Sequence, residues 1–204
     1  MEISVDGNRR DVSEQPATMG KLISRIKNDV LAGGRIVLAI EVDGHAVDAD
    51  YEREIHDRPV GDFRKVSVET ADPKTLCLAT LEEVSHHIAP IIDESARISD
   101  LVDTGKDTQA FARIVPCIEV WGAIVKAVHD IAALMQVEMD QVATNDESLS
   151  ESLRALVELL QRIKDSMEAR DLVGVRDAMK HEMPEVADRI AAQLEALSSL
   201  VAAK

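Results

Sequence analysis

Aromatic residues are scarce in this chain: Trp121, Tyr51, Phe63 and Phe111 are the whole set among 204 residues. So few large rings argue against a sandwich or barrel core, and the wealth of Ala, Leu, Ile and Val favours helix packed on helix. Cysteine is nearly missing too. Cys77 and Cys117 lie far apart, each on an apolar seam, so they read as buried free thiols in a reducing compartment rather than a disulfide or metal framework. No long uninterrupted apolar run exists. The longest apolar stretch, Ile118 to Met135, is broken by Glu119, Lys126, His129 and Asp130, so no membrane span is expected. The opening Met1-Glu2-Ile3-Ser4-Val5-Asp6 has neither a basic start nor an apolar core; no signal peptide is expected, and the expected location is the cytoplasm. Clustered positive charge is also lacking. Lys and Arg number 23 against 38 Asp and Glu, for a net charge of −15, and the acidic excess holds both before and after residue 72. Nucleic acid and anionic membranes both need clustered cations, so neither is an expected partner.

What the chain does have is helical periodicity. From Asp107 to about Met139 two apolar seams run side by side. One is Phe111, Ile114, Ile118, Trp121, Val125, Val128, Ala132, Met135; the other is Cys117, Val120, Ile124, Ala127, Ile131, Leu134. Both step by three and four residues, which lines them along a helix about 100° apart. A surface helix needs one stripe. Two adjacent stripes predict a helix packed on two sides, the centre of a bundle or one holding a flank open for a partner, with Trp121 buried.

Residues 1–72 have a different character. Met1, Ile3 and Val5 alternate with polar residues, Asp6-Gly7-Asn8 supplies a turn, and Arg10 and Val12 continue a second strand. Met19, Leu22, Ile23, Ile26 and Val30 then take helical spacing, with Thr18 or Ser13 to cap the start and Gly33-Gly34 to end it. Ile36 to Ile40 is an unbroken apolar run and predicts a strand covered on both faces or at a sheet centre. Asp43-Gly44 is a hairpin signal leading to a short strand at Ala46-Val47; a helical turn near Tyr51–Ile55 follows, and Val66 and Val68 mark a last strand. This order of elements resembles the ubiquitin-like β-grasp fold over residues 1–72. Carrier members of that family end in an exposed Gly-Gly tail, whereas Gly33-Gly34 are internal here and the chain ends Val201-Ala202-Ala203-Lys204. The resemblance therefore implies an interaction or structural module, not a carrier.

Asp72-Pro73 gives a capping residue followed by proline at the first helical position, and so marks a domain boundary. Beyond it four helical seams appear. The first, to about Asp103, runs Cys77, Leu81, Val84, Ile88, Ile91, Ser95, Ile98, Val102; the second is the central stretch. The third carries Leu149, Leu153, Leu156, Leu160, Ile163 and Met167, and the fourth runs Leu172, Val175, Met179, Met183, Val186, Ile190, Leu194, Leu197, Val201. Short connections predict an antiparallel four-helix bundle made of two hairpins, about 73–139 and 149–203. Asp107, Phe111 and Val115 correspond to Asp171, Val175 and Met179, a weak internal likeness between the hairpins. Pro90, Pro116 and Pro184 each fall inside a predicted helix, where kinks or breaks are expected. The fold class is α+β: a small β-grasp-like domain followed by an antiparallel bundle of four long helices.

Motifs that carry chemistry are few. Gly105-Lys106-Asp107-Thr108 resembles the end of a phosphate loop but has Asp100 and Asp107 where that loop needs Gly and Ser or Thr. A helix-hairpin turn capped by Asp107 or Thr108 accounts for it. Glu83 and His86 form a Glu-x-x-His pair, which puts a carboxylate and an imidazole on one helix face; di-iron bundles use two such pairs, and no second exists here. A solvated helix flank is the competing account. His181-Glu182 lacks the second histidine of a zinc-protease helix. Between Lys126 and Arg154 there is no Lys or Arg, while Asp140, Asp146 and Glu147 sit in a predicted polar loop at one tip of the bundle. That loop is the candidate surface for a basic partner, set against a plain solubility role. By elimination the expected function is non-enzymatic: an adaptor, assembly factor or chaperone-like binder of an unknown protein, with no cofactor. The alternative is a metal- or small-ligand-binding bundle with an enzymatic or sensory role, drawing on Glu83, His86, His129 or His181.

Overall fold

The computed structural model describes residues 1–10 and 16–204. The expectations for Val12 and Ser13 lie outside the described residues. The chain divides into two compact units, Met1–Leu76 and Cys77–Lys204, with the division just inside the helix that Pro73 begins.

In the first unit β1 (Glu2–Val5) and β2 (Asn8–Arg9) form a hairpin, followed by α1 (Met19–Ala32), β3 (Ile36–Val42), β4 (His45–Ala46), α2 (Ala49–Ile55) and β5 (Lys65–Ala71). The sheet order is β2-β1-β5-β3-β4, with β1 parallel to β5 and the other pairs antiparallel. Alternation decides which side chains face α1. Ile3 of β1, Ile40 and Val42 of β3, and Val66 and Val68 of β5 bury against Met19, Leu22, Ile23 and Ile26 of the helix. Asp6 and Asp43 sit in the two hairpin turns at φ 50° and 51°, a backbone region that Asp tolerates better than most residues. Each then ties its turn to a distant strand. The Asp6 carboxylate accepts the Thr70 N–H at 2.8 Å and the Thr70 hydroxyl at 2.7 Å. The Asp43 carboxylate accepts the N–H groups of Arg64 at 2.9 Å and Lys65 at 2.7 Å.

Thr18 stands at the N-cap of α1, but its side chain makes no capping bond. The 56–58 loop satisfies that end instead: the Met19 and Gly20 N–H groups donate to the carbonyls of Arg58 and His56, both at 2.9 Å. A Cβ at Gly20 would lie 2.1 Å from Nδ1 of His56, so any larger residue there has to displace that ring.

The expectation for β3 holds in part: it is an internal strand of the sheet, between β5 and β4. It is not covered on both faces: Leu38 is 52 % exposed and Ala39 is exposed as well. The pairing of β3 with β5 slips between Val37 and Ala39. A bulge of this kind inserts one unpaired residue and interrupts the alternation, which turns Leu38 away from the core. The apolar run therefore reflects a bulge near the sheet's edge rather than double coverage.

The second unit is built on α3 (Pro73–Asp103), α4 (Asp107–Met135), α5 (Leu149–Ala169), α6 (Leu172–Asp177), a π-helical turn (Ala178–Glu182) and α7 (Met183–Ala203). One apolar cluster gathers most of the predicted seams of all four long segments; Leu134, at the end of the second seam of α4, is 41 % exposed instead. Trp121 is fully buried, and α4 buries Ile114 and Val128 on one seam and Cys117, Ile124 and Ile131 on the other, so it packs on two sides. Asp72 caps α3, accepting the Thr75 N–H at 2.7 Å. Ser148 and Glu151 form a reciprocal capping box on α5. Neither Asp107 nor Thr108 caps α4; Lys106 holds that position with no side-chain bond, and the turn is made by Gly105 at φ 68°.

The prolines break nothing outright. α3 and α4 run through Pro90 and Pro116, and Pro184 sits at the start of α7 directly after the π-turn. A π-turn widens the helix by one residue, which is what the spacing Val175, Met179, Met183 demands if all three are to stay buried, as they do. The region read as a polar loop holds a short 3₁₀ turn (Met139–Gln141) and a hairpin of β6 (Ala143–Thr144) and β7 (Glu147–Ser148). Asn145 and Asp146 make its turn at φ 53° and 64°. No helix among the described residues is long and apolar enough to cross a membrane.

Candidate functional site

The structure does not gather the histidine and carboxylate candidates. Glu83 and His86 lie on the exposed flank of α3, and His129 and His181 are exposed on other helical segments. Among the described residues no group of three or more His, Cys, Asp or Glu side chains converges. The acidic loop divides by role. Asp140 and Asp146 are exposed. Glu147 is a structural residue: its carboxylate accepts Nη1 of Arg189 at 2.7 Å and the Ser152 hydroxyl at 3.4 Å, and its carbonyl accepts Nε2 of the buried Gln193 at 2.9 Å. A cation remote in sequence thus offsets a charge that stands without one locally. Lys204 acts likewise at the end of α4, where its ammonium donates to the carbonyls of Met135 at 2.6 Å and Gln136 at 2.8 Å.

Two concave surfaces stand out, one in each unit. In the first unit β4 pairs only with Glu41 and Val42 of β3, and the Val47 N–H adds one bond to the Ile40 carbonyl at 2.8 Å. Upstream of that point, Ile36, Val37 and Ala39 pair with β5 on one side, and among the described residues no strand pairs with them on the other. Beside this free edge lies a groove of about 390 Å³, lined by Leu31 of α1, Ile36, Leu38 and Val47, with Lys27 and Glu52 at its border. The Lys27 ammonium and Glu52 carboxylate pair at 3.0 Å, and Arg35, which also lines the groove, pairs with Asp6 at 3.4 Å. Leu31 and Leu38 are 67 % and 52 % exposed. Open backbone groups next to apolar side chains are the requirement for adding another strand.

In the second unit a groove of about 480 Å³ runs between α3 and α4, with Pro90 and Ile91 on one wall and Pro116, Cys117 and Val120 on the other. Glu94 accepts Nη1 of Arg113 at 2.7 Å and Nη1 of Arg97 at 3.3 Å across its mouth. Burial pushes the Cys117 thiol up to about 11, and the Glu94 carboxylate adds to the rise. That thiol is protonated at neutral pH and serves as apolar lining, not as a nucleophile. Neither groove was legible in the sequence as a site, since each depends on which residues two elements bring face to face.

The fold is thus a mixed α+β chain whose second unit is a helical bundle. Residues 79–193, more than half of the chain, match the family described as "Domain of unknown function (DUF8042)", and the chain belongs to that family. No curated protein and no solved structure matches it.

Proposed function

We propose that this is a non-enzymatic protein-interaction protein of the cytoplasm, an adaptor or assembly factor. In this reading its first unit is a ubiquitin-like β-grasp module that takes up an extended segment of a partner as an additional strand. The observation that carries the reading is the free edge of β3 at Ile36–Ala39 beside the exposed Leu31 and Leu38. The sheet order β2-β1-β5-β3-β4, with parallel β1 and β5 at its centre and α1 on one face, supports the β-grasp assignment. Two buried free cysteines suit a reducing compartment. Backbone bonds along the edge would supply affinity, and alternate side chains of the guest would fill the groove next to Leu31 and Leu38.

The test is quantitative affinity capture from the native host with the full chain and with a Leu31→Asp/Leu38→Asp variant. Both leucines are more than half exposed, so the substitutions should change stability by no more than about 0.5 kcal/mol each. A partner captured by the natural chain and lost by the variant, at equal melting temperature, is the expected result. Equal recovery by both proteins would refute the assignment of this edge.

A further inference from the structure

We propose that the groove between α3 and α4 binds a small amphiphile carrying one carboxylate, with its apolar body over Pro90, Ile91, Pro116 and Val120 and its head on the outer N–H groups of Arg97 and Arg113, which Glu94 leaves unused. Antiparallel helices place these residues in register. Moving along α3 from Glu94 to Ile91 to His87 matches moving along α4 from Arg113 to Cys117 to Val120, with the Glu94–Arg113 bond fixing one end. The floor is apolar and nearly buried: Ile91 and Cys117 are each 5 % exposed. The mouth is rich in hydrogen-bond donors. Two guanidiniums share a single carboxylate through one N–H each, and their other N–H groups have no partner among the described residues. Among the lining side chains Glu94 offsets one of the two cations and leaves one positive charge over. A carboxylate suits that surplus and the fork geometry of arginine.

Size separates a small ligand from a protein partner. The groove, about 480 Å³ and open to solvent along one side, has room for a small ligand whose apolar body it covers on one face. A stable protein interface needs about 800 Å² from each partner, far more than the six apolar lining residues provide. The ligand class is therefore a medium-chain or compact aromatic monocarboxylate.

The test uses the full chain and titrates decanoate against 1-decanol by calorimetry, below the concentration at which decanoate forms micelles. Saturable binding of decanoate, about fivefold tighter than decanol, is expected, because a charge-assisted hydrogen bond to a half-exposed guanidinium is worth up to about 1 kcal/mol. In Arg97→Gln/Arg113→Gln the preference for the acid should vanish while decanol binding is unchanged; both arginines are more than half exposed, so this variant keeps the fold. Labelling by a diazirine-bearing fatty acid, mapped by mass spectrometry, should fall on residues 87–120 and be displaced by decanoate. No saturable decanoate binding, equal affinity for acid and alcohol, or labelling confined to other parts of the chain would each overturn the proposal.

Discussion

Replacing Trp121 by Ala removes the largest fully buried side chain in the protein from the middle of α4. Its neighbours along that seam, Ile114 and Val128, are fully buried as well, so little can move in to refill the space. Truncations of this kind cost about 3–5 kcal/mol, from lost transfer energy and the cavity left behind. That is a large fraction of the 5–15 kcal/mol by which domains of this size are stable. Trp121→Phe should cost clearly less. It keeps a ring in place and also removes the indole N–H, which is buried without a protein acceptor and so carries a desolvation penalty of about 1–3 kcal/mol. Urea unfolding followed by far-UV circular dichroism measures both variants, since the helical signal does not depend on the tryptophan. A Trp121→Ala loss under about 1 kcal/mol, or a Phe variant as weak as the Ala variant, would show that the packing argument for α4 is wrong.

Other consequences follow from the same geometry. Residues 73–204 contain the whole of the bundle's apolar cluster, so an expressed 73–204 fragment should unfold in a single cooperative thermal transition; a featureless melt would contradict this. Glu147→Gln should lower stability by about 1 kcal/mol, the upper range for a partly exposed ion pair, while Asp140→Asn/Asp146→Asn leaves the melting temperature unchanged, which differential scanning fluorimetry resolves. Hydrogen bonds from Thr70, from Thr75 and from Ser148 hold the carboxyls of Asp6, Asp72 and Glu151 below the usual carboxylate range. A depressed folded-state pKa stabilises above the unfolded value, near 4 as a rough figure, and that stability is lost as pH falls through the folded value. Asp6→Asn should therefore flatten the fall in melting temperature below about pH 4, and an unchanged acid slope would refute the role given to Thr70.

Helical seams were readable because a three-and-four spacing leaves few alternatives. Cys77 through Ile98, and Leu149 through Ile163, are buried nearly as their spacing requires. The irregular fourth seam was also visible, but its cause was not. Pro184 pointed to a kink, whereas the structure absorbs the slip in a π-turn one step earlier. Ile36–Ile40 misled about coverage because hydrophobicity alone does not separate a doubly covered strand from a bulged one at an open edge. The bulge at Leu38 depends on pairing with Glu69 and Thr70, residues far along the chain. Glu147 misled for a similar reason: its cation, Arg189, arrives from α7. Asp107 illustrates a local failure, since a good capping residue sits one position too late while Lys106 takes the cap. The α3–α4 groove was hidden because Pro90 and Pro116 acquire their meaning only when antiparallel geometry sets them on opposite walls.

The claim that the β3 edge is where a partner binds can be examined most directly by amide hydrogen exchange on the full chain, alone and with its captured partner. Strand addition predicts slowed exchange concentrated at Ile36–Ala39, with smaller effects around Leu31 and Val47, and loss of that protection in Leu31→Asp/Leu38→Asp. Exchange at Ile36–Ala39 that stays the same with and without a bound partner, with protection found only on the helical unit, would contradict it.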